Sequence, residues 1–355
     1  MQTYITLLEK LIRMRPVSDN IEAVNAVQET LRSFLEERGV LCTMEELNGK
    51  KILYASTCPG KTPDLLLNAH VDVVPVEDDS QFEPVIKDGW MHARGAGDCL
   101  GNAVCFAKVL CEAEKNLSIG AIFSADEEIG GATTEFMTAN GYAGRRLVCI
   151  VDGKSDAVSY AQKGTMNVKL SAAGISGHAS RPFNCDNAAD KLISGYAKFR
   201  AQWQNPTADD SWHNSMALTV MKSGIIANKI PDYAEMIINV RYIAQPEREK
   251  ILNALRDITG LDVELLSFRD PVVADKDAPE LKVLAQIMQK HLDKEPLFYR
   301  MDGATDASFF VNGPAPVAIL GTNSADAHGR LEKVELDSIA KYAEILKETA
   351  KTLSV

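Results

Sequence analysis

The chain has 355 residues, with 38 Lys and Arg against 49 Asp and Glu, which gives a formal net charge of −11 at pH 7. This acidic excess argues against nucleic acids and anionic membrane surfaces as partners. The length predicts two domains with enough chain for a sizeable core.

The first predicted region alternates helices and strands up to about residue 164. Helices are predicted near 2–14 and 20–39, strands near 40–46, 51–56, 64–71, 118–125 and 147–152, and a further helix from Leu100 to about Lys115. This pattern predicts an α/β fold in which helices flank a sheet.

The pattern changes after residue 164. A strand is predicted at 165–171, a helix at 186–204, strands at 215–223 and 232–243, a helix at 246–259 and a strand at 262–269. That order is the ferredoxin-like split unit. The α/β pattern then resumes with a helix near 280–292, a strand at 316–320 and a helix at 335–352. We therefore predict a discontinuous domain, residues 1–164 and 275–355, with an α+β domain inserted at 165–274.

Composition also predicts the compartment. No apolar run approaches the ~18–20 residues of a membrane-spanning helix, and the amino terminus lacks a basic stretch and a cleavage site. Seven cysteines, an odd number, are scattered through apolar runs, which indicates reduced thiols. We therefore expect a cytoplasmic protein.

Acidic and imidazole side chains stand where the predicted buried strands end, which is where open α/β sheets hold ligands. Imidazole and carboxylate together suit Zn²⁺ or Mn²⁺, and one carboxylate can bridge two ions about 3.5–4 Å apart. The set therefore predicts a site for two metal ions. Its members are His70, Asp98, Glu128, Asp152 and His328, with Asp72 and Glu127 beside two of them.

Asp98 is the predicted bridge, because it follows a turn of small residues, 95–97, that lets the backbone pass close to an ion. His70 and Asp72 are two positions apart, so on an extended strand they share a face. Asp72 is then expected to accept the second ring N–H of His70 and fix its tautomer.

Glu127 and Glu128 are expected to differ in role, because neighbouring side chains on an extended strand point to opposite sides. We assign Glu128 to a metal and Glu127 to the general base that activates water. The alternative is that residues 126–128 form a solvated acidic turn. Gly130 and Gly131 favour a close approach instead.

Six motifs in this order resemble those of the co-catalytic dizinc amidohydrolases, the group that includes aminoacylase, acetylornithine deacetylase, succinyl-diaminopimelate desuccinylase, glutamate carboxypeptidase, peptidase T and carnosine dipeptidase. The resemblance runs from about residue 60 to about residue 335. The motifs are His-x-Asp at 70–72, Gly-Ala-Gly-Asp at 95–98, Glu-Glu at 127–128, Val-Asp-Gly at 151–153, Gly-His-Ala-Ser-Arg-Pro at 177–182 and the late His328.

The resemblance implies a zinc-peptidase-like mixed sheet and two divalent ions, Zn²⁺ first and Mn²⁺ or Co²⁺ as alternatives. It implies that His70 and Asp152 bind one ion and that Glu128 and His328 bind the other. Asp98 would bridge them and be followed by a non-proline cis peptide bond, Asp98-Cys99. Glu127 would be the base.

The chain departs from the family at two positions. Cys99-Leu100-Gly101 stands where the family often has Met-Lys-Gly, and Leu331 stands where it often has Asn. Neither position is a predicted ligand, so the departures bear on substrate rather than on metal. Cys99 itself could be a soft ligand, an oxidisable thiol or a small buried hydrophobic residue.

The inserted domain contributes three further candidates. Outside its motif His178 would be assigned a structural or solvated role, but the resemblance implies that it reaches the active site of the partner subunit and stabilises an oxyanion. The inserted domain would then be both a lid and a dimerisation domain. Asn228 and Arg241 resemble the residues that hold a substrate carboxylate or carbonyl, a task suited to Arg. The alternative for Arg241 is a salt bridge at a strand edge.

These features suggest three possible functions. The leading one is hydrolysis of an amide bond in a small substrate, with Glu127 acting as base and then as acid. A catalytically silent binding relative would not need Glu127 and all five ligands. A cysteine hydrolase built on Cys99 or Cys105 would leave the carboxylates unexplained.

The shorter carboxylate at Asp152 refines the substrate prediction. In the families resembled, Asp at this position tends to accompany enzymes that act on free amino ends, whereas Glu accompanies carboxypeptidases and deacylases. We therefore expect a dipeptidase- or aminopeptidase-like enzyme, with an N-acyl-amino acid deacylase of the acetylornithine deacetylase type as the alternative.

Overall fold

The structure, a computed structural model, describes residues 1–354, which divide into two compact units. The first unit comprises Met1–Ala161, Val273–Tyr299 and the chain from Thr305 to residue 354. The second comprises Gln162–Val272 and the short segment Arg300–Ala304. The roles expected for the two domains stay predictions.

The α-helices of the described residues are amphipathic in most cases and bury one side. Asn20 and Asn187 cap two of them by accepting a backbone N–H bond, from Ala23 and Ala189. The helices are α1 (Gln2–Arg13), α2 (Ile21–Glu36), α3 (Leu100–Glu112), α4 (Ala132–Ala139), α5 (Ala188–Arg200), α6 (Gln245–Thr259), α7 (Pro279–Leu292) and α8 (Leu336–Leu353).

The strands vary from two to ten residues in length. They are β1 (Leu41–Leu47), β2 (Lys50–Ser56), β3 (Leu65–His70), β4 (Val85–Lys87), β5 (Trp90–His92), β6 (Ile119–Ser124), β7 (Leu147–Val151), β8 (Ala157–Gln162), β9 (Gly164–Ala173), β10 (Gly177–His178), β11 (Ser215–Ser223), β12 (Lys229–Ile230), β13 (Tyr233–Tyr242), β14 (Asp262–Arg269), β15 (Val272–Val273), β16 (Leu297–Met301), β17 (Val317–Leu320), β18 (Ser324–Ala325) and β19 (Lys333–Glu335). β15 and β16 lie where the chain passes between the two units.

The main sheet of the first unit contains β1-β2-β6-β3-β7-β17-β8 in that order. β3 is parallel to both β6 and β7, and β17 is parallel to β7, whereas β2 runs antiparallel to β6. Every residue of β3, β6 and β7 is buried, as expected of parallel strands covered on both faces. The predicted mixed α/β sheet is confirmed.

A second, small sheet in the first unit was not predicted from the sequence. It joins β18, β19, β5 and β4 in that order, and β19 pairs with β5 through Lys333 and His92. Strands of two or three residues contain too few positions to show a period of two, so no periodic pattern marks them. This sheet brings the loop after β5 beside the loop between β18 and β19.

The second unit has the element order β9-α5-β11-β13-α6-β14. Its sheet is β11-β13-β9-β14, with each neighbouring pair antiparallel. The ferredoxin-like arrangement expected from the sequence is therefore present. Helices α5 and α6 pack on the sheet around a separate apolar core that includes Leu192, Met236 and Leu255.

The predicted bounds of the long elements agree with the structure to within a few residues. Helix α4 and strand β8 were missed, as were the short strands. Among residues 1–354, none of the helices combines the length and the apolar character that crossing a lipid bilayer requires.

Candidate metal centre

Three strand ends define one edge of the main sheet. β3 ends at His70, β6 ends at Ser124 just before the acidic turn, and β7 ends one residue before Asp152. Because β3 is parallel to its neighbours on both sides, the carboxyl ends of all three strands meet at the same edge. The buried apolar runs therefore deliver polar side chains to one place.

Four of the predicted ligands lie together, with Asp98 between the other three. His70 Nε2 lies 2.9 Å from Asp98 Oδ1, and His328 Nε2 lies 3.2 Å from Asp98 Oδ2. His328 Nε2 also lies 3.0 Å from Glu128 Oε1. The two oxygens of Asp98 thus face two different imidazole rings. Two overlapping groups of side chains could hold a metal ion, one made of His70, Asp98 and Cys99 and the other of Asp98, Glu128 and His328. The predicted ligand Asp152 belongs to neither group.

The charges of this cluster also act on the carboxyl group of Asp152. Burial raises the pKa of Asp152 well above its usual range, and the negative charges of Asp98, Glu127 and Glu128 raise it further, against the opposing effect of His70. Several carboxylates therefore share one small space. A cation among them would offset this repulsion.

The pKa values of the two imidazoles are raised as well, because the neighbouring negative charges stabilise their protonated forms. Contacts with Asp98 and Glu128 raise the pKa of His328 to about 10. Burial lowers the pKa of His70, but Cys99, Asp72 and Asp98 outweigh that effect and raise it well above its usual range. The donor set, two imidazole nitrogens amid carboxylate oxygens, is one that Zn²⁺ and Mn²⁺ accept.

The loop that carries Asp98 is tightly packed. The expected non-proline cis peptide bond Asp98-Cys99 is present. A side chain at Gly101 could not be accommodated, because its Cβ would lie 2.2 Å from the Ala96 carbonyl oxygen. Cys99 is fully buried and donates a hydrogen bond from its thiol to the Val151 carbonyl oxygen, at 3.1 Å. Burial raises the pKa of this thiol well above its usual range. Its sulfur is therefore packed inside the protein beside His70 and Asp98 rather than exposed to solvent.

The contact between His70 and Asp72 differs in one detail from the expectation. The closest acceptor for His70 Nδ1 is the backbone carbonyl oxygen of Asp72, at 2.8 Å, while its carboxylate Oδ1 lies at 3.4 Å. The carboxylate is occupied elsewhere, since it accepts hydrogen bonds from Ser18 Oγ and from the backbone N–H groups of Glu127 and Glu128. The carbonyl is therefore the main tautomer-fixing partner of His70.

The expectation that Glu127 and Glu128 lie on an extended strand is wrong. Residues Glu127–Ile129 form a 3-10 turn, and β6 ends before it. The turn is fixed by Asp126, whose Oδ1 accepts hydrogen bonds from the Thr133 backbone N–H and hydroxyl, and whose Oδ2 lies 3.3 Å from Lys50 Nζ. Side chains in such a turn do not alternate, so the division of labour between the two glutamates needs a different physical basis.

Sequence reasoning missed an ion pair beside the centre, Arg94 with Glu332. Arg94 Nη1 lies 2.6 Å from Glu332 Oε2, and both side chains are almost fully buried. Glu332 Oε1 accepts hydrogen bonds from the backbone N–H groups of Gly97 and Asp98. No pattern in the sequence singles out either residue, although each lies four places from a predicted ligand.

The second unit holds the three remaining candidates. His178 on β10 is exposed, and its Nδ1 accepts a hydrogen bond from the Ser180 backbone N–H. Asn228 is also exposed, and its backbone carbonyl oxygen accepts from the Ala179 backbone N–H, which places the residue beside His178.

Arg241 is half-buried on β13, between β11 and β9, so the alternative of a strand-edge arginine is wrong. Its Nε donates to Asn239 Oδ1 at 3.1 Å. Burial lowers the pKa of Arg241, and the nearby Arg269 lowers it further.

Comparison with known proteins places the chain in a family. Residues 66–352 match the model of peptidase family M20/M25/M40. A probable succinyl-diaminopimelate desuccinylase of Staphylococcus aureus (strain MRSA252) is 25% identical, over 98% of this chain and 96% of the relative. A succinyl-diaminopimelate desuccinylase of Sulfurovum sp. (strain NBC37-1) is 26% identical, over 98% of each chain.

Two solved structures share the fold. A tripeptidase from Staphylococcus aureus subsp. aureus mu50 has a TM-score of 0.82 at 18% identity, covering 99% of this chain and 98% of that one. An M20 family metallo-carboxypeptidase from Sulfolobus solfataricus has a TM-score of 0.81 at 18% identity, covering 99% of both chains. The chain therefore belongs to peptidase family M20/M25/M40 and is a hydrolase of that family.

Proposed function

We propose that this protein uses two divalent metal ions to hydrolyse an amide bond in a small substrate. The observation that carries the proposal is the placement of Asp98, whose Oδ1 faces His70 Nε2 at 2.9 Å and whose Oδ2 faces His328 Nε2 at 3.2 Å. A carboxylate that bridges two ions must offer one oxygen to each, and each of those ions needs further ligands on its own side.

The proposed ligands divide into two sets around Asp98. His70 and Asp152 would hold one ion, and Glu128 and His328 the other. Imidazole nitrogen and carboxylate oxygen favour Zn²⁺, with Mn²⁺ or Co²⁺ as alternatives. The ions would supply Lewis acidity to the scissile carbonyl and to the attacking water.

Glu127 is the proposed general base. Its carboxylate would take a proton from the attacking water as the new C–O bond forms, and would then give that proton to the leaving nitrogen as the C–N bond breaks. Asp72 would orient this group, because its carboxylate accepts the backbone N–H bonds of Glu127 and Glu128. The turn, rather than strand alternation, would separate the base from the ligand.

His178 is the proposed oxyanion donor, acting in the active site of a partner subunit. Nδ1 lies 2.8 Å from Ser180 Oγ and 3.2 Å from the Ser180 backbone N, so with Nδ1 as the acceptor of both donors the neutral ring carries its proton on Nε2, where it can donate. Removing one such donor typically costs about 10²–10³ in kcat. The tautomer supports the role, and the partner follows from the family resemblance.

The second unit also supports a homodimer. β11 is an outer strand of its sheet and exposes Leu218 and Met221, and the following turn exposes Ile225 and Ile226. An exposed apolar edge strand is suited to pairing with another chain. We therefore propose that the dimer contact lies in this unit. We also expect the protein to be cytoplasmic.

Asn228 and Arg241 are the proposed substrate-binding residues. Arg241 and Arg269 both pair with Thr165 across β9, so two guanidinium groups flank one position of the sheet. Such a pair attracts a carboxylate, and a guanidinium can bind one through two hydrogen bonds. A substrate that ends in a carboxylate fits this arrangement.

Two substrate classes remain, and Asp152 favours the first. A free amino end fits beside a short carboxylate, which supports a dipeptidase- or aminopeptidase-like activity. The second class, N-acyl amino acids, is favoured by the curated relatives, which are named as desuccinylases. Both classes present the same amide to the same catalytic groups.

The test of the proposed function counts metal and activity in the same preparations. We expect about two bound Zn²⁺ per chain, loss of amide hydrolysis on chelation, and recovery when Zn²⁺, Mn²⁺ or Co²⁺ is restored. A preparation that binds at most one ion, or that hydrolyses amides equally well after complete removal of metal, would reject the two-metal proposal.

A further inference from the structure

The starting observation is how Glu332 uses its two oxygens. Oε1 accepts hydrogen bonds from the consecutive backbone N–H groups of Gly97 and Asp98, both at 3.0 Å. Two donors on one oxygen fix the path of the backbone just before the Asp98 side chain. Glu332 therefore holds the loop that presents the shared carboxylate.

The other oxygen leads to His328. Glu332 Oε2 accepts from Arg94 Nη1 at 2.6 Å, and Arg94 Nη2 donates to the His328 carbonyl oxygen at 2.8 Å. The backbone of His328 is in the left-handed region, with φ of +64°, where residues other than Gly need support. One planar guanidinium thus connects the Glu332 carboxylate to the backbone of a proposed ligand.

The chain of contacts is shielded from water. The side chains of Arg94 and Glu332 are 4% and 1% exposed. A buried ion pair is seldom the most stable solution for a fold, because apolar residues of similar size often serve equally well or better. Stability alone therefore does not explain why a charged pair connects these two loops.

We infer that Glu332, together with Arg94, is a positioning residue that couples the Asp98 carboxylate to the His328 imidazole. This inference rests on the two-metal function proposed above. His70 and Asp152 stand on or next to the buried strands β3 and β7 and are held by the main sheet. Loss of the Arg94–Glu332 link should therefore weaken the ion at Glu128 and His328 more than the ion at His70 and Asp152.

The primary test measures metal affinity in the full-length Glu332→Gln protein. The amide keeps the shape and one acceptor oxygen but loses the charge that binds Arg94. Zn²⁺ is titrated in competition with a chelator, and Co²⁺ is followed by its visible absorption. We expect one of the two equivalents to bind about 10- to 100-fold more weakly, the usual effect of losing an outer partner of a metal ligand, and the other to change much less.

A double variant separates positioning from stability. Arg94→Met combined with Glu332→Gln removes both charges, so no unpaired ion stays buried, and the amide oxygen still accepts from the backbone N–H groups of Gly97 and Asp98. We expect its metal-free form to unfold near the wild-type temperature while the weaker equivalent still shows the loss of affinity. Asp270→Asn is the matched control, since it breaks an Arg–carboxylate contact with Arg248 in the second unit, at 2.9 Å, and should leave both affinities unchanged.

The outcomes are distinguishable from failure of the proposed function. A wild-type protein that binds fewer than two ions rejects the two-metal function itself. A wild-type protein that binds two, with unchanged affinities in folded Glu332→Gln, rejects only the positioning role. If Glu332→Gln does not fold, Arg94→Lys is tested in its place, because lysine keeps the positive charge but lacks the guanidinium group that joins Glu332 to His328. Unchanged affinity for both ions in that protein would overturn the inference.

Discussion

The Asp72 carboxylate accepts a hydrogen bond from the backbone N–H of Glu127 at 3.1 Å. Its second oxygen accepts from Glu128 N–H at 3.3 Å and from the Ser18 hydroxyl at 2.7 Å. Asp72 also provides, through its carbonyl oxygen, the closest acceptor for the Nδ1 of His70. One buried residue therefore connects the proposed base, one ligand of each metal set and the amino-terminal segment.

Asp72→Asn should uncouple these groups without removing a metal ligand. The two oxygens of the Asp72 carboxylate now accept from three donors, whereas the new amide offers only one oxygen. Its NH₂ group would face a backbone N–H that then has no acceptor. We expect kcat/KM to fall about 10- to 100-fold, with two Zn²⁺ still bound at saturating metal.

Ser18→Ala is the matched control for Asp72→Asn, because it removes one hydroxyl donor and leaves both backbone bonds in place. It should cost about 1 kcal/mol of unfolding free energy and have a smaller effect on kcat/KM. Equal kcat/KM in wild type and in folded Asp72→Asn would show that the Glu127 turn is held without this carboxylate.

Glu127→Ala should separate chemistry from metal binding. The side chain is not among the proposed ligands, so the variant should bind the same number of ions as the wild type. A general base contributes typically ~10²–10⁴ to the rate, and more when the same group also serves as the acid, so kcat should fall by at least that range. Unchanged turnover at full metal content would remove Glu127 from the mechanism.

Glu135→Ala is a suitable comparison for Glu127→Ala. Glu135 is an exposed glutamate on α4, a few residues farther along the chain. Its removal changes the net charge by the same amount. Metal content and kcat should both match the wild type.

The long buried strands could be predicted from sequence because each is an apolar run that stops at a polar residue. β3, β6 and β7 all fit this description, and their parallel pairing carries His70 and Asp152 to one edge. The expectation that Asp98 and His328 also follow buried strands is wrong, because they lie in the loops between β5 and α3 and between β18 and β19. For these two residues the motif resemblance, rather than a strand end, was the signal.

The other contacts of the site have no recognisable pattern in the sequence. Arg94 and Glu332 are 238 positions apart, and a lone Arg or Glu in a sequence predicts a solvated surface. The small sheet that brings their loops together is built from strands too short to show a period. The hydrogen bonds from Glu127 and Glu128 to Asp72 use backbone N–H groups, which every non-proline residue has. No side-chain pattern could therefore predict them.

Subunit mixing tests the proposed position of His178. His178→Ala and Glu127→Ala should each be nearly inactive alone. If His178 serves the partner's site, a mixed dimer has one site with both residues intact, so random exchange should restore about a quarter of wild-type activity. The measurement is activity against time after mixing.

The controls for subunit mixing are each variant mixed with itself, and a mixture kept under conditions that prevent exchange. Neither should gain activity. A wild-type protein that is fully active as a monomer in solution would contradict the shared site, and would place the function of His178 within its own chain.

The substrate prediction rests on Asp152, because a shorter carboxylate leaves room for a free amine. The measurement is kcat/KM on a matched pair, a dipeptide with a free amino end and the N-acetyl amino acid that ends in the same residue, with the N-succinyl compound as a third probe. We expect the dipeptide to be preferred. Asp152→Glu keeps the ligand type but adds one methylene, so it should reduce the preference for the free amine.

Arg241→Lys supplies the internal reference for this comparison. All three substrates end in a carboxylate, and replacing the guanidinium fork by a point charge should weaken their binding to a similar degree. A shift in the preference between substrates would then be attributable to Asp152 rather than to the carboxylate site. A tenfold or greater preference of the wild-type protein for the acetylated or succinylated compound would reject the peptidase assignment and favour the deacylase, while leaving the two-metal chemistry intact.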